Sequence, residues 1–202
     1  MATTFTTISK QSEGLYKDRG SKFISFAFPV KDEMEIKELI ENLRKKYHDA
    51  RHHCYAWRLG LEPGSSRAND DGEPASSAGK PILNHIESAG LTNILIVVVR
   101  YFGGTLLGVG GLINAYRHAA EDALRNNKLV VKHLTRIYKL DFNYAEINQV
   151  MKIIKEYDIE SYNQKFEISC SINVIIDLEK EAELLAKFAL IKECNCTLQE
   201  EG

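Results

Sequence analysis

The sequence predicts a mixed α+β chain of two domains. Three observations predict it. Helix-like and strand-like patterns alternate along all 202 residues, a length that suits one large domain or two small ones. The order of elements changes near residue 133, where a new β-α-β-β-α-β series begins. The charge balance changes at the same point: residues 1–132 hold 18 Lys+Arg against 15 Asp+Glu, and residues 133–202 hold 8 against 13. Hydrophobic residues make up 44% and charged residues 27%, ordinary for a globular chain. No run approaches the eighteen or so apolar residues of a membrane helix. The start, Met1-Ala2-Thr3-Thr4-Phe5, lacks the basic and apolar segments of a signal peptide. The spacing of Cys54, Cys170, Cys194 and Cys196 is no disulfide framework, so a cytoplasmic protein with reduced thiols is expected.

The first domain is expected over residues 1–132. Thr3–Ser12 and Leu15–Pro29, rich in Thr, Phe and Ile, read as strands with a turn at Asp18-Arg19-Gly20. Asp32–Tyr47 is a helix. Ile36, Leu39, Ile40, Leu43 and Tyr47 share one stripe, and Asp32 and Glu33 suit its positive end. Cys54–Leu61 is a strand and Pro63–Pro74 a polar loop. A short helix follows over Ala78–Glu87, capped by Ser76 or Ser77, with Pro81 in its first turn where a missing N–H costs least. Asn93–Tyr101 contains the run Ile94-Leu95-Ile96-Val97-Val98-Val99, the pattern of a strand buried on both faces. Leu112–Asn126 is a helix that turns Leu112, Tyr116, Ala119, Ala120 and Ala123 inward.

The second domain is expected over residues 135–202. Ile137–Phe142 is a strand, Tyr144–Tyr157 a helix and Ile159–Phe166 a strand. Glu167–Asp177 alternates cleanly, with Ile168, Cys170, Ile172, Val174 and Ile176 on one face. Glu179–Ala189 is a helix and Ile191–Gln199 the last strand. This order is the split-βαβ, ferredoxin-like motif. The boundary falls at an extended junction near Lys132-His133.

Between Arg51 and Arg117 the chain concentrates residues that bear chemistry. Three blocks stand out: Arg51-His52-His53-Cys54-Tyr55-Ala56-Trp57-Arg58; Asn69-Asp70-Asp71-Gly72-Glu73-Pro74 with Ser76-Ser77-Ala78-Gly79-Lys80-Pro81; and Arg100 through Leu112. The third holds Gly103, Gly104, Gly108, Gly110 and Gly111, five of the chain's 13 glycines. Glycine is used where φ is positive or where backbone must approach something closely. The stretch fails both nucleotide fingerprints. Val109 stands where a P-loop needs Lys, and Ile113 stands where a dinucleotide motif needs its third glycine. Two readings stay open: amides at the start of the following helix that hold a phosphate, and a tight turn packed on another backbone.

The other blocks are weighed in the same way. Ser77-Ala78-Gly79-Lys80 matches a β-lactamase nucleophile motif without its companion motifs, an accidental match. Asn69–Glu73 resembles part of a calcium loop, but Arg67 and Ala78 occupy ligand positions. Asp70, Asp71 and Glu73 form either an acidic site open to Mg²⁺ or a turn whose carboxylates pair with Arg and cap amides. His52 and His53 are adjacent on a strand and face opposite sides. Cys54 reads as a buried thiol, Trp57 as core or a stacking platform. Cys194 and Cys196 lack further ligands for zinc. Residues 44–67 hold six basic residues, two acids and three histidines, a patch suited to phosphate, with Arg44–Lys46 equally readable as a solvated helix end.

Taken together, the three blocks resemble the YigZ/IMPACT family over roughly Gly14–Ala123, and the tail resembles the small C-terminal domain of that family's bacterial branch. The resemblance implies a first domain of the ribosomal-protein-S5 domain-2-like fold, similar to domain IV of elongation factor G, and a second similar to its domain V. It implies a translation or stress regulator. It brings no catalytic residues. Eukaryotic members carry an extra N-terminal interaction domain that acts on a starvation-sensing kinase, a role not transferred here.

The expected function is therefore non-enzymatic docking on RNA or the ribosome, with no cofactor, no metal and no membrane. Candidate phosphate contacts are Arg51, His52, Arg58, Lys80, Arg100 and Arg117, with amides of Gly103, Gly104, Gly108, Gly110 and Gly111 as neutral donors. The alternative is a small-molecule or nucleotide-binding enzyme using the glycine-rich loop, Asp70, Asp71 and Glu73 for Mg²⁺ and Lys80 for a phosphate. A protein partner for the acidic second domain is a third possibility.

Overall fold

A computed structural model describes residues 3–61 and 65–201, so residues 63 and 64 of the expected polar loop lie outside the described residues. The fold is mixed α+β. It divides into two compact units, one of residues 5–132 and one of residues 133–201 with residues 3 and 4.

In the first unit, β1 (Thr4–Ile8) pairs with β7 (Leu129–His133) as a two-stranded sheet. The main sheet has the order β2-β3-β6-β4-β5, from β2 (Ser12–Asp18), β3 (Ser21–Pro29), β4 (His52–Arg58), β5 (Ser66–Asn69) and β6 (Ile94–Tyr101). Every neighbouring pair in it is antiparallel. Side chains alternate across a pleated strand, so β6 feeds two cores. Ile94, Ile96 and Val98 join Phe23, Cys54 and Ala56 against helices α2 (Gly79–Ser88) and α3 (Gly108–Arg125). Leu95, Val97 and Val99 join Phe26 and Trp57 against α1 (Glu33–Lys46). The continuous apolar run of β6 follows from this double burial. Helix α1 starts on Asp32, whose carboxylate accepts from Glu35 N at 2.8 Å.

Several sequence expectations change. The expected turn at Asp18-Arg19-Gly20 is present, with Arg19 and Gly20 at φ 44° and 80°, but the first strand ends at Ile8 and the next begins at Ser12, so the N-terminal region forms three strands. The polar loop contains β5, which covers the edge of β4. Helix α3 begins at Gly108, four residues earlier than expected, so Gly108, Gly110 and Gly111 lie in its first turns. No serine caps α2: the Ser77 hydroxyl donates to Pro74 O, and Asp70 takes the capping role from outside the helix.

In the second unit, β8 (Thr135–Asn143), β9 (Glu160–Lys165), β10 (Ser169–Asp177) and β11 (Asn195–Glu201) form an antiparallel sheet of order β11-β8-β10-β9. Helices α4 (Ile147–Glu156) and α5 (Glu181–Ala189) pack Val150, Ile154, Leu184 and Phe188 onto Leu140, Phe142, Cys170, Ile172 and Val174. Cys170 is fully buried. Ile168, expected inward, is 93% exposed, because β10 begins only at Ser169 and Ile168 lies in the connection from β9. Residues 191–194, expected as strand, form the turn after α5.

A candidate phosphate-binding cleft at the end of the central sheet

The last residues of β6 and the first residues of β4 lie side by side, with His52 opposite Arg100. Helix α3 begins beside them. Together they form a cleft of about 430 Å³ lined by Arg51, His52, Glu73, Pro74, Arg100 and Phe102, by Leu106 and Leu107, and by Gly108, Val109 and Leu112 of α3; Gly110 and Gly111 are not in the lining. Arg51 is exposed and makes no ion pair with any described residue. The His52 Nδ1 lies 2.8 Å from Asp71 O. A carbonyl only accepts, so Nδ1 carries a proton and donates it here.

The wall of the cleft is a buried polar chain. Glu73 Oε1 accepts from Arg100 Nη1 at 2.6 Å and from the Tyr116 hydroxyl at 2.7 Å. The side chains of Glu73 and Arg100 are 4% and 7% exposed. The Arg100 guanidinium lies 5.4 Å from the Phe23 ring and 5.7 Å from the Phe102 ring, and its Nε has no partner. Cys54 extends the chain: its thiol donates to Asp70 O at 2.9 Å and lies 3.3 Å from the Tyr116 hydroxyl. Burial pushes both the Cys54 thiol and the Tyr116 phenol well above their ordinary pKa, so neither supplies an anion near neutral pH.

The acidic block holds its own loop together. Asp70 Oδ1 accepts from the amides of Ala78 and Gly79 at 3.0 and 2.8 Å, and its Oδ2 accepts from Ser76 N. Asp71 pairs with Arg44 at 2.5 Å and accepts from His53 N at 2.7 Å. With Glu73 turned to Arg100, the three carboxylates point to three different partners. Among the described residues, no group of three or more His, Cys, Asp or Glu side chains is placed to hold a metal ion. His53 is buried on the opposite face of β4, and burial lowers its pKa.

The cleft gathers only part of the candidate set. Arg51, His52, Arg100 and Gly108 line it. Arg100, expected as a surface phosphate contact, is buried and paired. Arg58 stands opposite Ile94 at the other end of β4 and donates to Leu91 O, about 20 Å away at strand rise. Arg117 is exposed nine residues along α3, roughly 14 Å from its start. Lys80 is exposed on the first turn of α2 and is no part of the lining. Gly103 serves the fold: a Cβ there would lie 1.9 Å from Gly20 C. Gly104 answers a φ of 84°. Sequence reasoning missed Phe102, Leu106 and Val109, exposed by 47%, 82% and 53% at the rim. The signal was present in an aromatic and two aliphatics interleaved with the glycines.

The Impact N-terminal domain family matches residues 19–124. The chain is 35% identical to IMPACT family member YigZ of Escherichia coli K12, over 84% of each chain. It is 33% identical to IMPACT family member YvyE of Bacillus subtilis, over 77% of this chain and 72% of that one. A crystal structure described as a hypothetical protein is 30% identical, covers the whole of both chains and superposes with a TM-score of 0.76. The motif blocks that build the cleft all fall within the matched segment, and the chain belongs to the IMPACT family.

Proposed function

We propose that this protein is a regulator of translation that docks on RNA, ribosomal RNA included, through the cleft at the end of β6. The observation that carries this reading is one conjunction. An exposed Arg51 without an ion pair, and a half-buried His52 held by Asp71 O, stand beside an 18-residue helix whose first turn has neither an acidic residue nor a side-chain cap. Uncapped N-terminal amides and the helix dipole favour an anion. Gly110 follows the lining residues Gly108 and Val109 in the first turn of α3. A Cβ there would meet nothing within 4 Å, so packing gives no reason for a residue that costs a helix up to about 1 kcal/mol against Ala. Space kept clear over the amides does give one.

The same reading takes the first unit as S5 domain-2-like and the second as ferredoxin-like, similar to domains IV and V of elongation factor G. The expected salt dependence is modest. Arg51 makes one phosphate contact, for a log–log salt slope of about −0.7 on single strands. Co-sedimentation with ribosomes at low and high salt, with and without RNase, tests the reading. Recovery that salt and RNase abolish, and that Arg51→Ala weakens while lowering the slope by about 0.7, is the expected result. Recovery indifferent to RNase refutes it.

A further inference from the structure

We infer that the cleft takes one unpaired nucleotide of a single-stranded RNA, its base stacked on the open face of Phe102. This rests on the RNA-docking reading and narrows it. Phe102 is 47% exposed, yet its ring is not loose. The Arg100 guanidinium lies over the ring at 5.7 Å and also over the Phe23 ring at 5.4 Å, and Glu73, itself bonded by Tyr116, holds Arg100 in place. Phe23 is fully buried and packs edge-on to Tyr116, with ring centroids 5.2 Å apart. A chain of buried groups therefore props an exposed ring from behind. A ring fixed before binding loses little freedom when a second ring stacks on it.

The buried pair explains the arrangement only in this light. Sequestering Arg100 and Glu73 from water costs free energy that well-packed apolar residues would avoid, and Arg100 leaves a buried Nε without a partner. Holding a cation behind Phe102 and in the wall of the cleft gives that expense a use. The volume of about 430 Å³ lies in the range of small-ligand sites and fits one nucleotide rather than a duplex. Bases within a duplex already have both faces covered by their neighbours. Splayed bases of single strands and loops stack on aromatic side chains. Arg51 and the first amides of α3 then face the attached phosphate.

The test is fluorescence anisotropy with a labelled single-stranded oligoribonucleotide and a blunt RNA duplex, on the full chain. Phe102→Ala should weaken single-strand binding roughly tenfold without changing the salt slope. Phe102→Trp should retain affinity, and its fluorescence should be quenched on binding; the only other tryptophan, Trp57, is buried in the α1 core. The duplex should bind more weakly than the single strand. If Phe102→Ala binds the single strand as the parent does, or the duplex binds equally well, the stacking inference fails while RNA docking stands, and the apolar rim is left to a protein partner. If the parent binds neither RNA at low salt, the docking reading fails and the inference falls with it. Unchanged circular dichroism and thermal midpoint identify variants that fold.

Discussion

Arg100 shows how far a single side chain can depart from what its sequence neighbours suggest. It ends an apolar strand and leads into glycines, which reads as a cation presented to a ligand. Register places it instead between Phe23 and Phe102, with Glu73 as partner and 7% of its side chain exposed. Removing one member of a buried pair strands the other. Glu73→Ala should destabilise the protein by about 3–5 kcal/mol, and Tyr116 would lose its acceptor as well. The double variant Glu73→Leu/Arg100→Met should recover most of that loss, since it strands no charge. Urea unfolding of the three variants checks this, and a double variant no more stable than Glu73→Ala would contradict it.

Among elements, the segment from Gly103 into α3 separates glycines required by the fold from one that is not. Gly103 lies against the β2–β3 turn, where its amide donates to Ser21 Oγ and a Cβ would overlap the backbone of Gly20 and Ser21. Gly103→Ala should therefore cost several kcal/mol or abolish folding, because backbone on both sides must shift. Gly110 is helical and has open space where a Cβ would stand. Gly110→Ala should stabilise the protein by about 0.5–1 kcal/mol. Thermal unfolding measures both. If Gly110→Ala gains stability and loses RNA affinity together, the clear space over the helix start serves the ligand and not the fold.

The whole molecule carries a charge asymmetry and a pH sensitivity. The cleft lies in the unit whose residues 5–132 include the basic excess, so its field and that of the acidic remainder have opposite signs. Burial lowers the pKa of His53, which Arg44 and His52 depress further while Asp71 opposes them, and it lowers that of His85. The unfolded chain binds these protons from about pH 6.5 downward, and the folded chain does so only at lower pH. Stability contributed by the neutral rings is thus present above pH 6.5 and lost as pH falls through their folded values. The thermal midpoint should drop between pH 7 and 5, and His53→Gln should flatten part of that drop. A midpoint that rises with acidification would show that protonated His53 is held by Asp71.

Much of the fold was legible because periodicity is local. Six apolar residues in succession announced a strand buried on both faces, and β6 is that strand. A stripe from Ile36 to Tyr47 announced α1, and alternation placed Cys170 in the core. Boundaries were less legible where distant atoms set them: Asp70 caps α2 from eight and nine residues away, and β5 exists because the edge of β4 offers it a partner. The composition of the site was decided by tertiary structure alone. Arg51 precedes β4 and Arg58 ends it, yet antiparallel register sets His52, next to Arg51, opposite Arg100 and Arg58 opposite Ile94. Sequence supplies which side chains can meet a phosphate; register and helix direction decide which of them share a cleft, because contacts between distant segments are not encoded in any local period.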